Sequence, residues 1–199
     1  MATQPEEATR ATRRRGVALT RAIFEATLAE LAETSFEELA FDKIAARAAT
    51  GKAALYRRWG SPADLVLDAL ADPLAGFEET TPPRTGTLRG DLVALLTGFA
   101  RALDEPRGRA LRPLMTQRDR HPDLYVRVRE LVVLPRQRLL TEILAAAAAR
   151  DEVRADAVSA RIAGVGPRLV IASHMEAGTV PAAEVEAIVD EVLMPLLRP

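Results

Sequence analysis

Apolar residues along this chain of 199 residues recur at spacings of three and four, which is the pattern of helices that bury one face. No stretch alternates apolar and polar residues in the way that indicates a strand. We therefore expect an all-α protein of about nine helices. The pattern favours an N-terminal three-helix head followed by a larger helical body.

The head contains short helices separated by tight turns. A first helix is expected over 17–33, a second over 41–48 and a third over 51–57. A fourth helix should begin at Pro62, since Ser61 is a good N-cap and proline fits the first helical position.

The body begins after a segment of low regularity. Residues 72–86 concentrate proline and glycine between polar residues, which predicts a linker. Further helices are expected at 87–103, 107–118, 122–150 (with a kink at Pro135), 155–177 and 182–197. The predicted segments are a flexible basic arm (1–15), the head (16–61), a connecting helix with linker (62–86) and the body (87–199).

Composition excludes several classes of protein. The chain has no cysteine, so disulfides, thiolate metal sites and cysteine nucleophiles are absent. Its two histidines, His121 and His174, lie in different predicted helices without a second ligand at metal spacing. Phosphate-binding glycine loops and nucleophile motifs are also missing. We expect no catalytic residue, no metal, no cofactor and no enzymatic activity.

The distribution of charge is more informative than the net charge of −1. Residues 9–22 contain five arginines and no acidic residue, whereas acidic residues predominate in 151–199. A basic head and an acidic tail indicate that one end faces a polyanion. The chain has neither a membrane-length apolar run nor a visible signal peptide, so we expect a cytoplasmic protein without a membrane partner.

The segment FDKIAARAATGKAALYRRW, residues 41–59, predicts a helix-turn-helix. Its two helices must cross closely, and the small residues Ala45, Ala48 and Ala49 permit that. Small residues at the start of the second helix would let it enter a major groove, and Lys52 and Tyr56 lie four residues apart on one face. A small-residue helix pair can equally serve core packing, but the nearby cationic residues favour DNA. The predicted DNA-binding residues are Thr50, Gly51, Lys52, Ala53, Ala54, Tyr56, Arg57 and, from the arm, Arg14.

These residues resemble the TetR family of bacterial transcriptional regulators. The likeness rests on IAARA at 44–48, GKAALYRRW at 51–59, and Ser61 and Leu65 beyond them. The resemblance implies a homodimeric repressor whose body binds a small-molecule effector and moves the DNA-reading heads apart. It also implies that Lys52 and Tyr56 contact phosphates, that Leu55 is core, and that Trp59 packs at the start of the fourth helix.

The sequence departs from the family pattern at a few positions of the head. Ser35 stands where glycine is usual, and a left-handed backbone there would cost about 1 kcal/mol. Ala40 replaces a capping Ser or Thr, and a lost cap costs about 1 kcal/mol. Thr50 replaces an aliphatic residue, and Pro62 replaces a common lysine. These departures leave the expected fold unchanged and bear on DNA affinity and preference.

Two sets of body residues are candidates for the remaining functions. An apolar stripe on the last two helices predicts a four-helix dimer interface, with closure of the monomer core as the alternative. The interface candidates are Ile162, Val165, Leu169, Ile188, Val192 and Leu196. The candidates for an effector pocket, each of which could instead be ordinary packing or surface, are Phe99, Met115, Tyr125, Val128, Arg168 and His174.

The leading hypothesis is a homodimer that binds double-stranded operator DNA at half-sites about 34–36 Å apart. One alternative is a helical ligand-binding or protein-interaction module that has lost specific DNA binding, as Ala40 and Pro62 suggest. Another is an enzyme that uses His121 or His174 in a helical cavity. The operator sequence, the target genes and the chemical identity of the effector do not follow from the sequence.

Overall fold

All regular structure among the described residues of the computed structural model is helical. The structure describes residues 4–77 and 81–198, with side chains from Gly16 onwards. The α-helices are α1 (Gln4–Glu33), α2 (Phe41–Arg47), α3 (Lys52–Tyr56), α4 (Pro62–Ala71), α5 (Leu88–Asp104), α6 (Pro106–Met115), α7 (Pro122–Val128), α8 (Leu134–Ala148), α9 (Ala160–Ala163), α10 (Val165–Ala177), α11 (Ala182–Ala187) and α12 (Met194–Leu197). A 3₁₀ turn, Ala155–Ala157, precedes α9.

Several of these segments follow one another without a loop. The π-helical segments Arg129–Val133 and Ile188–Leu193 join α7 to α8 and α11 to α12, and Gly164 alone separates α9 from α10. Counted in this way, the described residues form nine helices, which confirms the all-α prediction.

The N-terminal helix begins earlier than the sequence predicts. The expected helix at 17–33 is present, but helical backbone continues back to Gln4. The side chains of residues 1–15 lie outside the described residues, and Arg14 is among them. The basic arm and the DNA contact of Arg14 therefore stay predictions.

The chain divides into two compact units. The first contains Met1–Glu78 and Arg109–Val128, and the second contains Glu79–Gly108 and Arg129–Pro199. The predicted segments assign 109–128 to the body, whereas these residues pack within the first unit, where α7 lies against α4. The division into an arm, a head, a linker and a body stays a prediction.

In the first unit, α1 packs against α2 and α4 around a buried apolar core. The side chains of Ile23, Ile44 and Leu65 are fully buried there. Arg47 joins α2 to α1 because its guanidinium binds both Glu33 oxygens and lies 3.1 Å from Glu30 Oε2. This planar, two-oxygen contact fixes the relative position of the two helices.

The start and the end of α4 are both closed by local hydrogen bonds. Ser61 Oγ accepts from the Asp64 N–H at 3.2 Å, which confirms the predicted N-cap. At the other end, the N–H of Phe77 donates to the Leu70 carbonyl at 3.0 Å. A Cβ at Gly76 would lie 2.3 Å from the Leu70 carbonyl oxygen, so this close turn requires glycine. The first part of the predicted linker is thus folded against α4.

The second unit has a core made by α5, α8, α10 and the α11–α12 helix. Gly166 lets α10 approach its neighbours, since a Cβ there would lie 3.0 Å from both Leu96 and Leu193. On the surface, Arg89 holds Asp190 with two hydrogen bonds of 2.7 and 2.8 Å and so joins α5 to the second π segment.

Each π segment ends two residues before a proline, namely Pro135 and Pro195. Proline has no N–H to donate to the carbonyl four residues earlier, and its ring crowds that carbonyl. The wider π turn relieves this crowding inside a continuing helix. A π segment thus lies just before Pro135, and the kink predicted there stays a prediction.

Within the described ranges, no helix combines the length and apolarity that a membrane span requires.

The ion pair between Glu33 and Arg47 predicts a pH dependence of stability. Hydrogen bonding to Arg47 lowers the pKa of Glu33 below its ordinary value of 4.5. The folded state therefore gains stability from the charged carboxylate above pH 4.5, and this gain is lost as the pH falls through the lowered pKa. Glu33→Gln should lower the free energy of urea unfolding at pH 7, and the difference from wild type should shrink below pH 4.5.

The matched control is Glu25→Gln, which breaks an exposed ion pair to Arg21 within α1 rather than one between helices. It should have a smaller effect at pH 7. A difference between Glu33→Gln and wild type that stays constant across this pH range would contradict the assignment.

Candidate nucleic-acid interface

The turn between α2 and α3 is built by a pair of backbone hydrogen bonds. The Thr50 N–H donates to the Ala45 carbonyl at 3.0 Å, and the Ala49 N–H donates to the Ala46 carbonyl at 3.2 Å. This is the Schellman arrangement, which places a left-handed residue just after the helix end. That residue is Ala49, with φ of 50°. The backbone thus turns sharply enough to bring α3 across α2.

Left-handed strain in the head lies at Ala49 and not at Ser35. Among the described residues, the only non-glycine residues with positive φ are Ala49 and Asp151. The conditional strain at Ser35 therefore does not arise. The predicted loss of a cap at Ala40 is confirmed, because Ala40 occupies the N-cap position of α2 without a side-chain hydrogen bond.

Helix α3 presents one face to solvent and one to the core. Gly51, Lys52 and Ala53 are exposed, and Ala54 is half-buried. Leu55 is 0% exposed and fixes the inner face. The exposed N-terminal half of α3 thus carries small side chains around a single cation, the shape that suits close approach to a groove.

The two longer side chains of α3 each contact the first turn of α2. The Tyr56 ring packs edge-on against Phe41 with centroids 4.8 Å apart, while 62% of Tyr56 stays exposed. Lys52 Nζ lies 3.5 Å from Asp42 Oδ2. The structure therefore brings Lys52 and Tyr56 together on one surface with Thr50, Gly51 and Ala53.

The residues after Tyr56 anchor α3 to the rest of the first unit. The Trp59 indole N–H donates to Asp68 Oδ2 at 2.8 Å, and its ring contacts Phe24 edge-on. Trp59 is buried, but its hydrogen bond reaches the seventh residue of α4 rather than the junction that the resemblance implies. Arg58 donates to Thr20 Oγ1 at 2.6 Å and is thereby held towards α1. Arg57 is exposed.

Two family models account for most of the chain. The model described as bacterial regulatory proteins, tetR family, matches residues 23–69. The model described as tetracyclin repressor-like, C-terminal domain, matches residues 82–192. The chain belongs to the TetR family. It is a DNA-binding transcriptional regulator, as the helix-turn-helix predicts.

Individual relatives align with most of this chain. A helix-turn-helix transcriptional regulator of Mycobacterium tuberculosis is 32% identical over 172 residues, which are 86% of this chain and 84% of that protein. The DNA-binding transcriptional repressor TetR of Mycobacteroides abscessus is 27% identical over 93% of this chain and 97% of its own. A TetR-family crystal structure from Mesorhizobium loti shares the fold, with a TM-score of 0.72 at 16% identity, covering 92% of this chain and 96% of that chain.

The six candidates for an effector pocket are divided between the two compact units. Met115, Tyr125 and Val128 belong to the first unit, and Phe99, Arg168 and His174 belong to the second. Arg168 is exposed, and Phe99 packs against the core of the second unit. His174 is buried, and its Nε2 lies 2.9 Å from Asp104 Oδ1. Their role in effector binding stays a prediction.

The second unit contains a small apolar cavity of about 10 Å³ that is partly open to solvent. It lies among leucines of α5 and α8, the start of α10 and the α11–α12 helix. A space of this size holds one water molecule at most. None of the six pocket candidates lines it.

The predicted dimer residues have different degrees of burial. Ile188 is 5% exposed and belongs to the core of the second unit, whereas Leu196 is 38% exposed. Ile162, Val165, Leu169 and Val192 are half-buried. Two apolar residues outside the predicted set, Ile171 and Met175, lie one turn apart on α10 and are 41% and 71% exposed. Both residues belong to an apolar stretch that covers more than one side of the helix. Helical periodicity alone does not show which of these sides is buried and which stays exposed.

The left-handed backbone at Ala49 predicts that glycine is tolerated there better than valine. Ala49→Val should lower the free energy of unfolding by about 1–3 kcal/mol, because a branched side chain fits a left-handed backbone poorly. Ala49→Gly should not lower it, since glycine adopts this conformation without strain. Urea unfolding followed by circular dichroism measures both.

Ala46, three residues earlier in α2, provides the matched control. Ala46→Gly should lower the free energy of unfolding by about 1 kcal/mol, the ordinary cost of glycine inside a helix. Equal losses for Ala49→Gly and Ala46→Gly would show that Ala49 carries no strain.

Proposed function

We propose that this TetR-family regulator is a cytoplasmic homodimeric repressor that binds a pseudo-palindromic operator and is released by a small-molecule effector. The observation that carries the proposal is the exposed surface of α3, where Lys52 and Tyr56 flank small residues above a fully buried Leu55. Two such surfaces in a dimer would engage half-sites about 34–36 Å apart.

In this proposal the side chains of α3 have two kinds of role. Lys52 and Tyr56 donate to phosphates, which sets the position of the helix on the duplex. Thr50 and Ala53 face the base edges, where their methyl groups contact thymine methyls. The absence of side chains beyond Cβ at Gly51 and Ala53 lets the backbone approach closely.

The proposed dimer forms through α10 and the α11–α12 helix of each protomer, giving a four-helix interface. Support comes from the exposure of Ile171 and Met175, which lie one turn apart, and of Leu196. Burying such side chains against a second copy removes apolar surface from water. The half-buried Val165, Leu169 and Val192 would border this contact.

Effector release requires a state of the protein that the effector binds more tightly than the DNA-binding state. Small-molecule pockets commonly measure about 300–1,000 Å³. The leucine-lined cavity of the second unit is far smaller, at about 10 Å³, and the groove of about 310 Å³ beside Gln137 and Thr141 of α8 is largely open to solvent. We therefore propose that the effector selects an expanded packing of the second unit, with Phe99 and His174 among the residues it contacts.

The role of Lys52 can be tested by substitution. Lys52→Ala should weaken operator binding at least about tenfold, since a hydrogen bond to a charged group contributes roughly 1.5–3 kcal/mol. The slope of log affinity against log salt should fall by about 1. The operator is first selected from genomic DNA, and fluorescence anisotropy then measures its affinity at several salt concentrations.

Lys43→Ala is the matched control, since Lys43 is the other lysine of the chain and is exposed on α2. It should change the affinity less than Lys52→Ala does. If the two variants bind the operator equally well, Lys52 has no particular role at the interface.

The dimer is tested by placing a charge in the proposed interface. Wild type should have a molar mass of about twice 21.6 kDa by light scattering. Met175→Glu should shift it towards the monomer, because burying an unpaired carboxylate is strongly unfavourable. Val126→Glu, at an exposed apolar residue of the first unit, should leave the mass unchanged. A dimer that persists in Met175→Glu and in Ile171→Glu would place the interface elsewhere.

A further inference from the structure

The first turn of α2 contacts Lys52 and Tyr56, the two long side chains on the surface of α3 that is proposed to face DNA. Phe41 supports the Tyr56 ring, and the next residue, Asp42, lies 3.5 Å from Lys52 Nζ. The contact between Asp42 and Lys52 differs from the aromatic contact, because the side chains of both partners are 65% exposed. A negative charge therefore lies on the surface that is assigned to a polyanion.

The ion pair contributes little to holding the helices together. Pairs this exposed are screened by water and salt, and many have no measurable effect on folding. Other contacts already fix α2 and α3: Arg47 joins α2 to Glu33 of α1, and Leu55 anchors α3 in the core. The pair with Lys52 therefore matters little for folding, and the contribution of Asp42 to folding comes from its place in the first turn of α2, where a negative charge stabilises the helix.

The carboxylate acts differently on non-specific and specific binding. Non-specific binding comes almost entirely from the attraction between protein cations and phosphates. Beside Asp42, the charge of Lys52 is partly cancelled before any duplex arrives. Binding a duplex through Lys52 breaks its ion pair with Asp42. A duplex offsets that lost attraction only if it places a better partner for Lys52 where the rest of α3 positions the lysine.

We propose that Asp42 is a specificity-determining residue, which holds Lys52 and penalises duplexes that offer it no well-placed partner. This inference rests on the assignment of Lys52 to the DNA surface. It concerns discrimination between DNA sequences, a property separate from the strength of operator binding.

The experiment measures affinity for the selected operator and for a random duplex of equal length, at several salt concentrations. Asp42→Asn keeps the size of the side chain and removes its charge. It should tighten binding to the random duplex up to about fivefold at low salt, the range of an exposed ion pair. Operator affinity should rise less, so the ratio of the two affinities should fall. The salt slope for the random duplex should steepen by about 1.

Glu25→Gln is the control for net charge, because Glu25 is also an exposed carboxylate paired with a cation, Arg21. It should leave the affinity ratio unchanged. In a Lys52→Ala background, Asp42→Asn should lose most of its effect on the random duplex, since Asp42 then has no cation to hold. Thermal melts of each variant, with Asp42→Ala as a second charge-removing variant, check that folding is preserved.

Three outcomes would overturn the proposal. One is an affinity ratio in Asp42→Asn equal to that of Glu25→Gln. Another is an undiminished effect of Asp42→Asn in the Lys52→Ala background, which would mean direct repulsion between the carboxylate and the duplex. The third is weaker operator binding in Asp42→Asn, which would make Asp42 a direct contact to the bases. Lys52→Ala alone separates this proposal from the preceding one, because it tests the Lys52 assignment without reference to Asp42.

Discussion

A helix of five residues is too short to be stable in water by itself, and the surface that we propose to face DNA stands on such a helix, α3. What keeps α3 folded is the burial of its inner face. Leu55 is fully enclosed by the first unit, and Trp59 ties the following turn to Asp68 through its indole N–H. The outer face can then carry Lys52, Ala53 and the exposed Tyr56, because Leu55 and Trp59 already hold the helix in place. In the proposed function, DNA contact and folding thus use opposite sides of the same helix.

Local patterns were sufficient to predict the helix-turn-helix. The spacing of Leu55 and Trp59, the small residues around Ala48 and the Ser61 cap are all properties of neighbouring residues, and the structure confirms them. The features that local patterns do not predict depend on contacts between helices. The family pattern points to Ser35 as a position for a left-handed backbone, but the left-handed residue of the head is Ala49, whose conformation follows from how α2 and α3 pack. The pairing of Lys52 with Asp42 depends on the same packing of α2 against α3.

The second half of the chain was less predictable, for a related physical reason. Helical periodicity identifies which residues are apolar, but it does not say which neighbour covers them. Ile188 and Leu196 belong to one predicted stripe, yet the first is core and the second is exposed. Conversely, Ile171 and Met175 face solvent on a helix whose other side is packed. The packing of 109–128 within the first unit likewise depends on contacts between residues far apart in sequence.

The second π segment explains the spacing of buried residues in the α11–α12 helix. Val185, Val189, Leu193 and Leu197 are all buried and are four residues apart. In a straight α-helix such a series rotates by about 40° at each step, so the last member would drift well away from the first. A π turn contains one more residue than an α turn, and its place between α11 and α12 absorbs this drift. The π turn is equivalent to one inserted residue, and the burial of Leu193 and Leu197 depends on it. Removing one residue from 188–193 would rotate everything after it by about 100°. The length of this segment is therefore constrained as firmly as its composition.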